Sequence, residues 1–587
     1  MNIKDYFLIG DLHTSALVSN KGSVDWFCVP HFDSPSMFAR LLDKSAGDFS
    51  LIAEGWNSKS KYLKDTAILE TTFTKGNKKF TLRDFMLPRP KKQVISHFLV
   101  RKIRAKSDVE ITFRFNPKPE YGKKQVNIKQ EQNRLIFPIG DRKVFLRIPQ
   151  NSKIKKTKQG FLITFKLKAN QSDELVLEYT KTRSIYRKGT LEKRTINFWK
   201  KWISQGKFFD YNREDLIRSA ITLKLMQFYK TGALIAAPTT SLPESIGNGR
   251  NWDYRYVWIR DATFTLYAFY VLGYKEEAKK FFKYIESIAK KCKDNPITLK
   301  PVYTIEGKTP PKETTLNLEG YKNSKPVRLG NAAADQFQLD IYGSLIDSYY
   351  FMLKKGFRIS KESKQIILNM AERIERHWKE KDDSIWEFRS RKRHYTYSKI
   401  MAWVGINRTI KLCDRLNIPK KKKEHLKKLE KEIKDWIWKN CYDEKTKSLK
   451  QSPDSKSQDS INYLAVLLHF LNKNHSLTEE IIKNTNKELV TKNLFVYRYK
   501  SNDKLKGKEG AFILSTFWYL SALAKIKQPK KAEALMKELE KIIPQHGLIA
   551  EEINPKNLNY LGNYPQAFSH MGYIMSSYYI NKYLNNP

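Results

Sequence analysis

Residues 161–179 read FLITFKLKANQSDELVLEY, and residues 212–228 read NREDLIRSAITLKLMQF. In the first stretch Phe161, Ile163, Phe165 and Leu167 alternate with other residues, and Leu175, Leu177 and Tyr179 repeat the pattern after a polar turn. A period of two places such residues on one face of a strand. In the second stretch Leu216, Ala220, Leu223 and Phe228 fall near helical spacing. The chain changes period between the two. Upstream, Ile111, Phe113 and Phe115, and Val144, Leu146 and Ile148, obey the first rule, with turns such as Lys75-Gly76-Asn77 between strands. This predicts an antiparallel β-sandwich. Downstream, the spacing predicts helices near 212–230, 261–273, 275–291, 332–355, 361–379, 396–416, 420–438, 459–472, 477–488, 509–526, 529–543 and 564–583. So many helices without intervening strands predict a barrel of paired helices, because each amphipathic stripe needs a second layer to bury it. The expected domains are 1–207, a sandwich that ends in a linker from Thr182 to Lys207, and 208–587, the helical barrel.

Composition narrows the function classes. Lys and Arg total 109 against 61 Asp and Glu, a formal net charge of +48. Aromatics at 13% and apolar residues at 41% exceed what a disordered chain carries. No run of about 18 apolar residues is present, so no membrane-spanning helix is expected. The opening MNIKDYFLI lacks the basic-then-apolar pattern of a secretory signal. Cys28, Cys292, Cys413 and Cys441 are scattered without a CxxC pair. Together these features predict a cytoplasmic protein with reduced cysteines, no disulfide framework and no metal site.

The charge raises nucleic-acid binding, which gains affinity by releasing counterions from phosphate. That reading requires a basic stripe on one face with base-stacking aromatics. The densest run, Lys420 to Lys439, has nine Lys and four acids around an apolar stripe of Leu426, Leu429, Ile433, Trp436 and Ile437. Its lysines are the wet face of one helix. No specific nucleic-acid partner is expected, only solubility and a salt-weakened attraction to polyanions.

The unusual residues sit in four long loops. They run APTTSLPESIGNGRNWDYRYVWIR (237–260), PVYTIEGKTPPKETTLNLEGYKNSKPVRLGN (301–331), DDSIWEFRSRKRHYTY (382–397) and HGLIAEEINPKNLNYLGNY (546–564). Rings beside carboxylates and guanidinium groups suit a sugar, which has apolar faces and a rim of hydroxyls. Trp252, Tyr254, Tyr256 and Trp258 are candidate rings. Arg260 and Asp261 are a candidate donor and acceptor fork, or else a buried pair in which Arg260 binds Asp261 or Asp253. Glu387 lies between Trp386 and Phe388, where apolar surroundings favour the protonated form that a general acid needs. A surface glutamate at a turn fits the same residues. Glu551 and Glu552 follow Leu548-Ile549-Ala550, and either is a candidate base that activates water. Adjacent acids equally suit a solvated loop or the first turn of a helix. His394 and His570 titrate near neutrality, but this chemistry needs no imidazole, and both read as structural.

These loops resemble those of glycoside hydrolase family 15, the glucoamylase and trehalase family, in its short prokaryotic form. The likeness begins at Ile9-Gly10-Asp11, Gly22-Ser23-Val24-Asp25-Trp26 and Phe32-Asp33-Ser34-Pro35. It continues through Arg250-Asn251-Trp252-Asp253-Tyr254-Arg255-Tyr256, Trp258-Ile259-Arg260-Asp261-Ala262, Leu318-Glu319-Gly320-Tyr321, Pro326-Val327-Arg328 and Gly330-Asn331-Ala332-Ala333. It closes with Ile385-Trp386-Glu387, Ser398-Lys399 and Gly562-Asn563-Tyr564-Pro565-Gln566-Ala567-Phe568-Ser569-His570. So many motifs in order span nearly the whole chain.

The resemblance implies an N-terminal β-sandwich, a C-terminal (α/α)6 barrel, and exo-acting hydrolysis of a terminal α-glucosidic bond with inversion. It implies Glu387 as general acid and Glu551, rather than Glu552, as general base. It implies Arg260 and Asp261, with Trp258 beside them, as the grip on the non-reducing glucose. Glu319 and Gly320, with Tyr321 and Arg328 nearby, would flank the next sugar site, and Trp252, Tyr254 and Trp386 complete the expected binding set. Inversion leaves room for a water, so the two carboxyls are expected about 6.5–9.5 Å apart; about 5 Å would mean retention. No cofactor or metal is implied. Malto- or isomalto-oligosaccharides stand first as substrate and α,α-trehalose second, since both present a terminal α-glucosyl unit. A catalytically dead sugar-binding relative is disfavoured by the presence of both carboxylates.

Overall fold

The computed structural model describes residues 1–182, 186, 188–292 and 294–585. The first part holds two eight-stranded antiparallel sheets among the described residues. One orders Tyr6–Gly10, Ser15–Ser19, Ser23–Cys28, Asp48–Ile52, Val109–Asn116, Gly160–Leu167 and Lys153–Thr157, with Ser36–Phe38 beside Ser23–Cys28. The other orders Lys129–Glu131, Arg134–Ile139, Arg142–Arg147, Ser172–Thr180, Ser96–Ala105, Lys78–Met86, Leu69–Lys75 and Asn57–Tyr62. The alternating residues set the register. Phe113 faces Leu51 on one side and Ile163 on the other. Phe113, Ile163 and Phe165 from one sheet share a core with Leu146, Leu175 and Leu177 from the other. Gly76-Asn77 is the two-residue loop of the hairpin that pairs Lys75 with Lys78.

Fourteen helices follow among the described residues. They are α1 (Leu191–Ile203), α2 (Arg213–Met226), α3 (Ile259–Val271), α4 (Lys275–Lys291), α5 (Asp340–Lys354), α6 (Lys361–His377), α7 (Thr396–Lys411), α8 (Cys413–Leu416), α9 (Lys420–Cys441), α10 (Ile461–Leu467), α11 (Ser476–Leu489), α12 (Ile513–Lys525), α13 (Pro529–Glu540) and α14 (Ala567–Asn585). Helices α3, α5, α7, α10, α12 and α14 pack in sequence as an inner ring, and α14 closes it on α3. Helices α2, α4, α6, α9, α11 and α13 surround that ring, giving the (α/α)6 barrel. Burial follows position. Every residue of inner α12 is buried, whereas outer α9 fully buries only Leu426, Leu429, Ile433, Ile437 and Cys441. No described helix is long and apolar enough to cross a membrane.

The expected helices all have counterparts; the one expected at 332–355 splits into a short 3₁₀ turn, Ala332–Asp335, and α5, and the one expected at 396–416 into α7 and α8. The segment expected as a linker, Thr182 to Lys207, holds a helix. Residues 183–185 and 187 lie outside the described residues, and the remainder contains α1, which is docked on the barrel. Trp202 stacks on Tyr274 with ring centroids 4.0 Å apart, and its indole donates to Glu277 at 2.9 Å. Replacing Trp202 with Ala removes a fully packed ring, so Trp202→Ala is expected to cost about 3–5 kcal/mol. Denaturant unfolding checks this, and an unchanged midpoint would show that α1 contributes nothing.

Candidate active site

The inner helices run parallel, so their N-termini gather at one end of the barrel. Arg260 and Asp261 open α3, Asp340 opens α5, and Asp459 lies two residues before α10. The loop carrying Glu387 crosses this end. Ser384 and Glu387 both hold left-handed φ, 68° and 57°. Each such residue stores about 1–3 kcal/mol, and its neighbours secure it. The Trp386 indole donates to both oxygens of Asp459, at 3.0 and 2.9 Å, and Phe388 stacks on Tyr395 at 5.0 Å.

Glu387 is held by one oxygen. Oε1 accepts from the Trp258 indole, from Arg260 at 3.4 Å and from Gln338 at 3.5 Å. Oε2 has no protein partner among the described residues. Arg260 also donates to Gln338 at 2.8 Å and meets Asp340 at 3.5 Å. Its Nε and the Asp261 Oδ1 lie 3.8 Å apart, both buried without a hydrogen-bond partner. Burial pushes the Asp261 carboxyl up to about 8 against the opposing pull of Arg260. A fork of orphaned polar atoms beside a carboxylate is suited to neighbouring hydroxyl groups.

Trp252 lines the same pocket beside two guanidinium groups, Arg328 at 4.5 Å and Arg389 at 4.1 Å from its ring. Glu313 binds both arginines. Arg328 thus backs the ring instead of lining the pocket. Tyr254 packs edge-on against Trp258 at 5.1 Å.

The two adjacent acids part company where a short strand, Glu552–Ile553, begins, with Glu551 the residue just before it. It pairs with Ala511–Phe512 and with Tyr560–Leu561. Glu552 accepts from the Gly510 amide at 2.9 Å and meets Arg498 at 3.3 Å. Arg498 also meets Glu509 at 2.6 Å and Glu244 at 3.3 Å, so one guanidinium binds three carboxylates whose oxygens lie within 4.8 Å. Burial pushes Glu244 up to about 8. Glu551 turns the other way. Its Oε2 accepts from the Asn563 amide at 2.9 Å, and Oε1 is buried without a partner. The Tyr254 hydroxyl bears on this carboxyl and lowers its pKa, while burial, the larger effect, raises it. Glu551 lies fully buried behind the pocket wall, and both it and Glu387 act electrostatically on Tyr254 and Asp261.

Glu319, Gly320 and Tyr321 lie apart from this pocket. The hairpin Thr314–Leu316 with Val327–Leu329 keeps Glu313 and Arg328 near the pocket but projects its tip towards the sandwich. There the Glu319 amide donates to Asp43 at 3.1 Å and the Tyr321 hydroxyl donates to the Met1 carbonyl at 2.9 Å. The three line a separate cavity with Tyr6, Asp25 and Arg40. Gly320 turns the tip at φ 74°, where a Cβ would collide with the Ser324 carbonyl.

Two family models match the chain: "Trehalase-like, N-terminal" over residues 1–190 and "Glycosyl hydrolases family 15" over residues 211–539. The chain belongs to glycosyl hydrolase family 15. A trehalase of Thermoplasma acidophilum is 34% identical over 95% of this chain and 97% of its own length. A trehalase of Mycobacterium tuberculosis is 33% identical over 97% and 88%. A bacterial glucoamylase solved with acarbose shares the fold across 99% of this chain and 94% of its own, with a TM-score of 0.75 and 14% identity.

In this family 15 hydrolase the loop at 490–512 supplies residues that sequence reasoning missed. Arg498, Tyr499, Asp503 and Glu509 line the pocket together with Arg250 and Arg389. Arg250 donates to Asp503 at 2.7 Å and to Glu509 at 2.5 Å. The available signal was an Arg-Tyr pair followed by two acids in a lysine-rich loop. His570 is structural: its Nε2 accepts from the Ile549 amide at 3.1 Å, two residues before Glu551, and burial lowers its pKa to about 3.

Gly562 has φ 69°, and a Cβ there would strike the Glu551 carboxylate. Gly562→Ala is therefore expected to lower kcat by about tenfold or more, equivalent to at least ~1.4 kcal/mol of misplaced transition-state contact. Circular dichroism is expected to be unchanged. A variant with wild-type kcat would show that the Glu551 position is not critical.

Proposed function

We propose that this family 15 hydrolase is a trehalase, cleaving α,α-trehalose into two glucose molecules with inversion at the attacked carbon. The observation that carries the reading is the full-length likeness at 32–34% identity to proteins named trehalase, in both the sandwich and the barrel. Glucoamylase-type hydrolysis of malto- or isomalto-oligosaccharides, the first expectation from sequence, is supported here only through a fold likeness. The pocket agrees with a disaccharide. One polar cup is built from Arg260 and Asp261, and a second polar wall of Arg250, Arg389, Arg498, Asp503 and Glu509 lies in the same pocket. Two like sugars, each with a full hydroxyl rim, suit two polar cups.

In this reading Asp261 and Arg260 take hydroxyls of the glucosyl unit that is attacked. Trp252, Trp258 and Tyr254 supply apolar surface, and Trp386 fixes the acid. Glu387 is the general acid. Its Oε1 is occupied by protein donors, which leaves Oε2 to carry the proton to the glycosidic oxygen as the C1–O bond breaks. Glu551 is the general base. Its unpartnered Oε1 takes a proton from a water attacking C1 from the opposite face. Glu552 Oε1 is also buried without a hydrogen bond, but it lies 3.3 Å from the Arg498 guanidinium, in an ion pair that Glu551 lacks, and this disfavours Glu552 as the base. All of these residues fall within 208–587, which we take as the catalytic domain, with 1–207 as its support.

The test is glucose release from trehalose, maltose, isomaltose and soluble starch by purified protein. Trehalose is expected to be the preferred substrate, with one β- and one α-glucose per turnover by NMR before mutarotation. Preference for maltose or starch would reject the reading, and two α-glucose molecules would reject inversion. Glu387→Gln is expected to lower kcat by about 10²–10⁴-fold; retained activity would remove its role.

The base works only when ionised, and burial holds Glu551 above the usual glutamate pKa of about 4.3. Falling pH therefore protonates Glu551 early. The acid limb of kcat/KM is expected to fall at a pH above that usual value, and a midpoint near 4 would contradict the assignment.

A further inference from the structure

At the opposite end of the barrel the inner helices leave a second cavity, of about 490 Å³. That is within the range of small-molecule sites. Its walls are aromatic and aliphatic, including Tyr267, Tyr350, Phe351, Trp518 and Tyr579. Phe264 and Trp518 form its partition from the catalytic end. Phe264 packs on Phe568, which lines the catalytic pocket, at 5.7 Å, and Trp518 packs on Trp386 at 6.0 Å.

The charge here is one-sided. Lys354, Lys355, Arg408 and Lys411 line the cavity against a single acid, Asp347. Asp347 is already taken, by Arg408 at 2.6 Å and by the Tyr267 hydroxyl at 2.9 Å. Some cations at this end serve the fold, because helix C-termini present unpaired carbonyls. Arg408 donates to the Leu468 carbonyl, and Lys525 just beyond the cavity donates to Val466 and Leu467, all at 2.9 Å. Lys354, Lys355 and Lys411 do neither. They are exposed, and among the described residues none of the three pairs with a carboxylate. Lys355 and Lys411 lie over the Phe351 and Tyr350 rings at 5.9 Å.

Lysine offers donors and no acceptor. A neutral sugar, which needs both, is poorly matched to this cavity. The wall fits a flat apolar body and the cations fit a multiply charged group with several acceptor oxygens. We propose that this cavity is a second ligand site, for a phosphorylated small molecule with a flat aromatic body, of which a mononucleotide is the simplest case.

The test is calorimetric titration of the full chain with AMP, adenosine and inorganic phosphate at about 0.15 M salt, where diffuse attraction is screened beyond about 8 Å. AMP is expected to bind with 1:1 stoichiometry, and adenosine and phosphate each at least about tenfold more weakly, ~1.4 kcal/mol. The double variant K355E/K411E is expected to weaken AMP by at least about tenfold, with hydrolytic activity and melting temperature unchanged. K421E/K428E, the same charge change on exposed residues of α9, is expected to leave AMP binding unaltered. No AMP binding, phosphate as tight as AMP, K355E/K411E without effect, or the two double variants weakening AMP equally would each overturn the proposal.

Discussion

The ion pair of Asp253 and Arg255 is the constraint on which the other features depend. Both side chains are buried, and their charges meet at 2.7 Å. Asp253 also accepts from the Gly330 amide at 3.2 Å, and its carbonyl accepts from Asn331 at 3.2 Å. Arg255 reaches into the sandwich, donating to the Ser34 carbonyl at 3.0 Å and the Tyr121 hydroxyl at 2.8 Å. One pair thus fixes the loop between Trp252 and Trp258, the 330–331 turn and the sandwich edge together. Trp26 adds a second tie, from its indole to the Pro238 carbonyl at 2.7 Å. Removing one partner of such a buried pair costs about 3–5 kcal/mol, because the other charge is left without compensation. The sandwich is therefore part of the frame that aims the pocket rings.

From that frame the site differentiates its carboxyls by surroundings. Glu387 sits among donors, Trp258, Arg260 and Gln338, all on one oxygen. Glu551 is fully buried, with the Asn563 amide on one oxygen and the Tyr254 hydroxyl and the Arg498 charge acting on the carboxyl. Glu244, Glu509 and Glu552 share Arg498, and burial raises Glu244 and Glu552. Arg498 lets acids concentrate beside Glu551 without mutual repulsion forcing them apart. Residues adjacent in sequence, Glu551 and Glu552, acquire distinct environments: Glu551 accepts from the Asn563 amide, and Glu552, the first residue of a short strand, accepts from the Gly510 amide and meets Arg498.

This explains what the sequence disclosed and what it withheld. The period-two residues around Phe113 and Ile163 and the helical stripe of α9 report burial directly, so sandwich and barrel were legible. Helix α1 was not, because Trp199 and Trp202 bury against tertiary partners in a segment rich in Lys and Arg. Glu387, Arg260 and Asp261 were legible through their motifs, and the structure brings them together. Glu319, Gly320 and Tyr321 lie beside Arg328 in sequence, yet a hairpin separates its base from its tip, and adjacency misleads there. Arg498 and Glu509 were hidden because ion pairs between distant loops leave no periodic signal.

Charge is shared unevenly between the two ends of the barrel. The pocket that holds Glu387 is lined by four cations, Arg250, Arg260, Arg389 and Arg498, and by five acids, Glu244, Asp261, Glu387, Asp503 and Glu509. The cavity at the other end sets four cations against one acid. Helix direction accounts for part of this contrast. Six parallel inner helices turn their N-termini, which favour carboxylates, to the catalytic end and their C-termini, which favour cations, to the other. A balanced pocket with paired donors and acceptors matches a neutral polyol, and nearly every donor there is already oriented by an acid. The other end has donors in excess and acceptors satisfied. The same barrel thus presents two solvent-facing ends of different electrostatic character, and the fold's own dipoles favour that division.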